Sequence, residues 1–81
     1  MPRTLATPRH KALRDLIVQK RNELGLTQHA LARAIGRSQS YVASIETGQR
    51  RVDVVEFFEL AEALRFDPIE ALKLIKKTRK A

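Results

Sequence analysis

Uncharged hydrogen-bonding side chains gather at helical spacing in the stretch SQSYVASIETG, residues 38–48. Gln39, Ser40, Tyr41, Ser44 and Thr47 surround Val42 and Ile45, where a solvated helix would carry Lys and Glu. At about 100° per residue, Val42 and Ile45 define an inward side, and Ser40, Ser44 and Thr47 fall close to the opposite one. Short neutral donors and acceptors on an open face suit base edges in a major groove. There Gln bridges adenine N6 and N7, and Ser pairs with several bases. Long charged side chains would grip phosphate without reading sequence. Gln39 and Gln28 each stand in the first turn of a helix, where backbone N–H groups and the positive helix end also favour a phosphate.

Other chemistries find little support. His10 and His29 are the only histidines, there is no cysteine, and no paired-carboxylate spacing accompanies them. Neither a metal site nor a disulfide nor a Cys nucleophile is expected. With no GxSxG turn and no Gly-rich phosphate loop, the expectation is a non-enzyme without cofactor or metal. The N-terminal MPRTLATPRH has no apolar leader-like run. No apolar run reaches the ~18 residues of a membrane span, so a cytoplasmic protein is expected.

The elements that must hold the neutral face are short helices. Thr7-Pro8 opens helix 1, about residues 8–23, with Leu13, Leu16, Ile17 and Leu24 recurring at helical period. Thr27 caps helix 2, Gln28 to Ile35, and Gly36 ends it; Ser38 caps helix 3, Gln39 to about Thr47, and Gly48 closes it. Asp53 with Glu56 forms a capping box for helix 4. There Val54, Phe57, Phe58, Ala61 and Leu64 are read as the core stripe, and Glu56, Glu59 and Glu62 as a solvated row. Asp67-Pro68 starts helix 5, and no alternating segment reads as a strand. Eighty-one residues allow one small domain. The fold class is therefore all-α, a compact five-helix bundle with a helix-turn-helix at helices 2 and 3, which only Gly36, Arg37 and Ser38 join. The division is a flexible basic arm at 1–7, the helical domain at 8–77 and a basic tail at 78–81. Arg9 and Lys11, with Arg3, are read as solvated charge.

Charge is segregated along the chain. The formal net of +7 divides into +4 over residues 1–25, +3 over 26–52, −5 over 53–72 and +5 over 73–81. Basic surfaces beside one acidic helix fit a protein that meets a polyanion on one side. Glu46 projects toward the Val42 and Ile45 side of helix 3, and a carboxylate there needs a partner.

From Arg21 to about Leu72 the chain resembles the Cro/CI-type helix-turn-helix family, the XRE family of bacterial and phage regulators. The stretch that carries the resemblance is LGLTQHALARAIGRSQSYVASIETGQR. The resemblance implies a lambda-repressor-like DNA-binding bundle and a sequence-specific transcriptional regulator of double-stranded DNA. The expected form is a repressor, binding a palindromic operator as a homodimer with helix 3 in the major groove. Residue by residue, it makes Gln39, Ser40 and Ser44 the base readers, with Tyr41 and Arg37 at the margin. Thr27, Gln28, Ser38, Thr47, Arg50 and Arg51 fall to the DNA backbone. It also pairs Glu46 with Arg21 on helix 1. His29 and Arg33 stand where some relatives carry an acidic patch for RNA polymerase, which tilts the reading from activator to repressor.

Helix 5 carries more apolar residues than a terminal helix needs, and Ile69, Leu72, Leu74 and Ile75 are the candidates for a two-fold contact. The alternative function is an antitoxin or adaptor whose main role is to hold a partner protein, such as a toxin or RNA polymerase, through helix 4 or 5.

Overall fold

The structure, a computed structural model, describes residues 7–79. The expected arm lies outside the described residues up to residue 6, Arg3 included, as do residues 80 and 81 of the tail. Five helices follow one another: α1 Pro8–Glu23, α2 Gln28–Ala34, α3 Gln39–Glu46, α4 Val54–Leu64 and α5 Pro68–Lys77. No strand occurs among the described residues, so the fold is the expected all-α bundle.

Each helix begins on a side chain that accepts one of the backbone N–H groups a helix start leaves open. Thr7, Thr27, Ser38, Asp53 and Asp67 accept from His10, Ala30, Tyr41, Glu56 and Ile69 respectively. The first four helices end alike. The N–H groups of Leu26, Arg37, Gln49 and Phe66 return to the carbonyls of Arg21, Ala32, Ser44 and Ala61. Each closure requires a residue at positive φ just past the helix. Gly25, Gly36 and Gly48 take that position in three cases, and Arg65, at φ 60°, takes it in the fourth. At Gly48, where φ is +80°, a Cβ would also lie 3.1 Å from the Arg14 Nε, so the arginine side chain would have to give way by a few tenths of an ångström.

The core joins α1 to α4 around Ile17, Leu31, Ala32, Val42, Ile45, Leu60 and Leu64. Val42 and Ile45 thus anchor α3 from beneath. Two expectations for α4 need correction. Its buried apolar face is Phe57, Leu60, Ala61 and Leu64, whereas Val54 is 71% exposed and Phe58 41%. Val54 opens the helix beyond the edge of the core, and one 100° step takes Phe58 off the face that holds Phe57. Glu56, read as solvated, is only 6% exposed. Its side chain bends back to the Asp53 N–H at 3.0 Å, so it cannot share the outward direction of Glu62.

Arg9 and Lys11 belong to the first turn of α1. Arg9 donates to the carbonyls of Lys76, at 2.8 Å, and Thr78, at 3.1 Å, and so ties the open end of α5 to the start of α1. Lys11 pairs with Asp15 at 2.6 Å in solvent. No described helix is long and apolar enough to cross a membrane.

Candidate nucleic-acid interface

A chain of polar contacts runs beneath the neutral face of α3. Arg21 of α1 meets Glu46 by two parallel bonds, Nε to Oε2 at 2.7 Å and Nη2 to Oε1 at 2.9 Å. Its Nη1 donates to the Leu26 carbonyl at 2.8 Å. Bidentate geometry and low exposure make this the strong form of an ion pair, and the bonds to Glu46 push the Arg21 guanidinium pKa further up. Gln28, the first residue of α2, donates its amide N–H to Glu46 Oε1 at 2.9 Å. Gln39, the first residue of α3, donates in turn to Gln28 Oε1 at 2.7 Å.

The direction of this relay follows from chemistry. An ionised carboxylate can only accept, so Gln28 must turn its NH2 group to Glu46 and its carbonyl to Gln39. Gln39 must then use one amide N–H on Gln28. It keeps the second N–H and its carbonyl oxygen, the donor and acceptor that a bidentate contact with adenine requires.

The remaining candidates lie around that axis. The Ser38 and Ser40 hydroxyls are 3.0 Å apart at the exposed start of α3. Ser44 is half-buried and donates to the Tyr41 carbonyl at 2.7 Å, so its oxygen can act only as an acceptor toward a further partner. Thr47 is exposed and donates to the Ala43 carbonyl at 3.0 Å. Thr27 caps α2, and Arg51 is exposed. Ile69, Leu72, Leu74 and Ile75 do not share one face of α5. Leu72 and Ile75 line a groove of about 370 Å³ with Leu13, Val54, Phe57 and Phe58. Leu74 lines a second depression with Ala12 and Leu16 of α1, and Ile75 borders both.

A second cluster sits beside the relay, and its central residue, Glu56, is read from the sequence as a helix-capping, solvated acid and not as a site residue. Glu56 Oε2 accepts from Arg50 Nη2 at 2.8 Å and from Arg37 Nη1 at 3.3 Å. Arg37 Nη2 also lies 3.5 Å from Glu59 Oε1, so the guanidinium is turned back to α4. The guanidinium carbons of Arg37 and Arg50 lie 4.8 and 4.7 Å from the centroid of the Tyr41 ring. Burial pushes the Glu56 carboxyl up, but the Asp53 N–H and the Arg50 guanidinium outweigh it and hold the group below its ordinary range. Burial, reinforced by Glu56, raises Tyr41. The signal for Glu56 was available in its capping box, because an acid that caps its own helix start cannot also point outward.

Among the described residues, no three or more His, Cys, Asp or Glu side chains converge as a metal site would need. The helix-turn-helix family model matches residues 17–70, which span α2, α3 and α4 and the flanking parts of α1 and α5. A curated relative from Sinorhizobium fredii, named as an uncharacterized HTH-type transcriptional regulator, is 42% identical over 50 residues. That match covers 62% of this chain and 65% of the relative, so the chain spans about two thirds of the relative's length. Among solved structures, an XRE-family like protein from Pseudomonas syringae pv. tomato is 38% identical with a TM-score of 0.79, covering 84% of this chain and 83% of that one. The restriction-modification controller protein C.AhdI from Aeromonas hydrophila is also 38% identical, with a TM-score of 0.65 over 75% of this chain and 86% of that one. The chain belongs to the helix-turn-helix family, in its XRE or Cro/CI-type branch.

Proposed function

We propose that the protein is a sequence-specific, double-stranded DNA-binding regulator of transcription. It acts as a repressor, as a homodimer on a palindromic operator, with α3 in the major groove. The observation that carries this reading is the relay from Glu46 through Gln28 to Gln39, which leaves a donor and an acceptor of Gln39 for a base. A surface that merely stayed soluble would have no need to fix a glutamine by two successive bonds. Ser40 and the acceptor oxygen of Ser44 extend the base-reading face. Thr27, Gln28, Ser38, Thr47, Arg50 and Arg51 serve the phosphates. The protein works by binding rather than by catalysis.

Selection of bound duplexes from a random pool tests this, with wild type and a Gln39→Ala, Ser44→Ala double variant run in parallel at near-physiological salt. A palindromic consensus from wild type that blurs in the variant is the expected result. Equal, weak enrichment by both proteins would show the α3 face to be idle.

A second reading has its own support in the apolar groove that α4 and α5 form with α1, where Val54, Phe58 and Leu72 are exposed. In an antitoxin or adaptor, that groove would hold a partner protein. Such a protein would tolerate changes at Gln39 and Ser44 and fail on changes at Phe58 and Leu72.

A further inference from the structure

Glu56 is a buried charged residue, its side chain as little exposed as that of Glu46, and helix capping does not account for its arrangement. The capping box uses Oε1 and the backbone N–H of Glu56, which bonds to Asp53 Oδ1 at 2.7 Å. Oε2 is left for two arginines that arrive from opposite ends of α3. Arg37 comes from the turn before Ser38. Arg50 comes from the loop after Thr47, where the N–H groups of Gln49 and Arg50 both return to the Ser44 carbonyl, at 2.9 and 3.1 Å, and fold the chain back along the helix.

Two guanidinium groups over one ring repel each other, and neither would stay there without a counter-charge. The carboxylate supplies it, and Tyr41 supplies the surface on which both lie. Each arginine keeps substantial exposure, with side chains 36% and 46% accessible for Arg37 and Arg50. A guanidinium has five N–H donors, so one edge held by a carboxylate leaves others for a second planar anion.

We propose that Glu56 is a positioning residue for DNA, holding Arg37 and Arg50 against Tyr41 so that their outer edges meet the phosphates flanking the groove that α3 enters. This rests on the DNA-reading function proposed above and reassigns Arg37 from base reader to phosphate holder. Fixing the two side chains before the encounter removes part of the ordering cost of binding. A phosphate carries no sequence of its own. Arginines held in place before the encounter, however, fit the phosphates only in the register that the base contacts select, so their release is expected to weaken the selected duplex more than the scrambled one.

The test is a double-mutant cycle read as the ratio of affinities for the selected duplex and a scrambled one, measured by fluorescence anisotropy below the melting temperature of every variant. Glu56→Gln is expected to lower this ratio about tenfold. In an Arg37→Ala, Arg50→Ala background the same change should lower it less than about twofold, a dependence that a purely structural role would not produce. Removing a negative charge strengthens attraction to any DNA, which is why the ratio is read and not one affinity. An unchanged ratio would overturn the proposal. So would selectively tighter binding to the chosen duplex, since Glu56 would then be holding the arginines away from DNA. Should Glu56→Gln not fold, Arg50→Lys asks the same question. It keeps the charge without a fork able to hold carboxylate and phosphate together, and is expected to lose about fivefold in the ratio; a wild-type ratio would sink the idea. Wild type failing to discriminate would instead remove the DNA-reading function itself, and this inference with it.

Discussion

Glu56 keeps its charge where burial works against it, and its stability contribution therefore has a definite sign with pH. Its folded-state pKa lies below the ordinary value, so between the two values the folded protein binds fewer protons than the unfolded chain. The carboxylate stabilises the fold above the unfolded carboxyl value of about 4.3, and that contribution disappears as pH falls through the lower, folded value. The titration in this window is that of the carboxyl. Thermal melts of wild type and Glu56→Gln from pH 7 to pH 3 should show wild type more stable above about pH 5 and the gap closing toward pH 3. A gap that does not change with pH would mean that Glu56 is not held as a carboxylate. At this scale the sequence was legible where a residue's neighbours are local. Every cap side chain was identifiable from its place before a helix. Gln28 and Gln39 were recognisable as paired helix starts, but the bond between them depends on how α2 crosses α3. The capping box was enough to turn Glu56 back toward Asp53, but its arginine partners lie 19 and 6 residues away and were not legible, because only the fold brings them together.

Among the elements, the helix ends give the sharpest contrast. Four helices close by the same backbone bond, three of them on glycine and one on Arg65. A side chain at φ near +60° crowds its Cβ against the following carbonyl at a cost of roughly 1–2 kcal/mol, which glycine avoids at some expense in chain entropy. Arg65→Gly is expected to raise stability by about 0.5–1 kcal/mol and the melting temperature by roughly 2–6 °C. Arg65 is exposed and no core contact is lost. A lower melting temperature would mean that the Arg65 side chain contributes more than its backbone geometry costs. The helix boundaries themselves were legible because a cap at one end and a turn residue at the other bracket each apolar period. The faces were less so. Leu72 and Leu74 differ by about 200° around α5, so they line separate depressions although both belong to one apolar run.

For the whole molecule, that difference lets the proposed homodimer be tested one side at a time. Leu72 borders the groove with Val54 and Phe58, and these three side chains are 46%, 71% and 41% exposed around a cavity of about 370 Å³. Leu74 is 60% exposed on the α1 side, away from that cavity. A homodimer formed through the α4–α5 groove should therefore be lost on Phe58→Asp or Leu72→Asp and retained on Leu74→Asp, as read by light scattering at micromolar concentration. Uniform loss across all three, or monomers from wild type with and without DNA, would rule out this surface. The consequence for DNA follows from effective concentration. Linked recognition helices reach half-sites one turn apart, about 34 Å, and the second contact becomes intramolecular. The two groove variants should lose about a hundredfold or more in affinity for the full palindrome while binding a single half-site as wild type does. Equal losses on both duplexes would place the damage in α3, and would show that the groove supports the recognition helix and not a second copy.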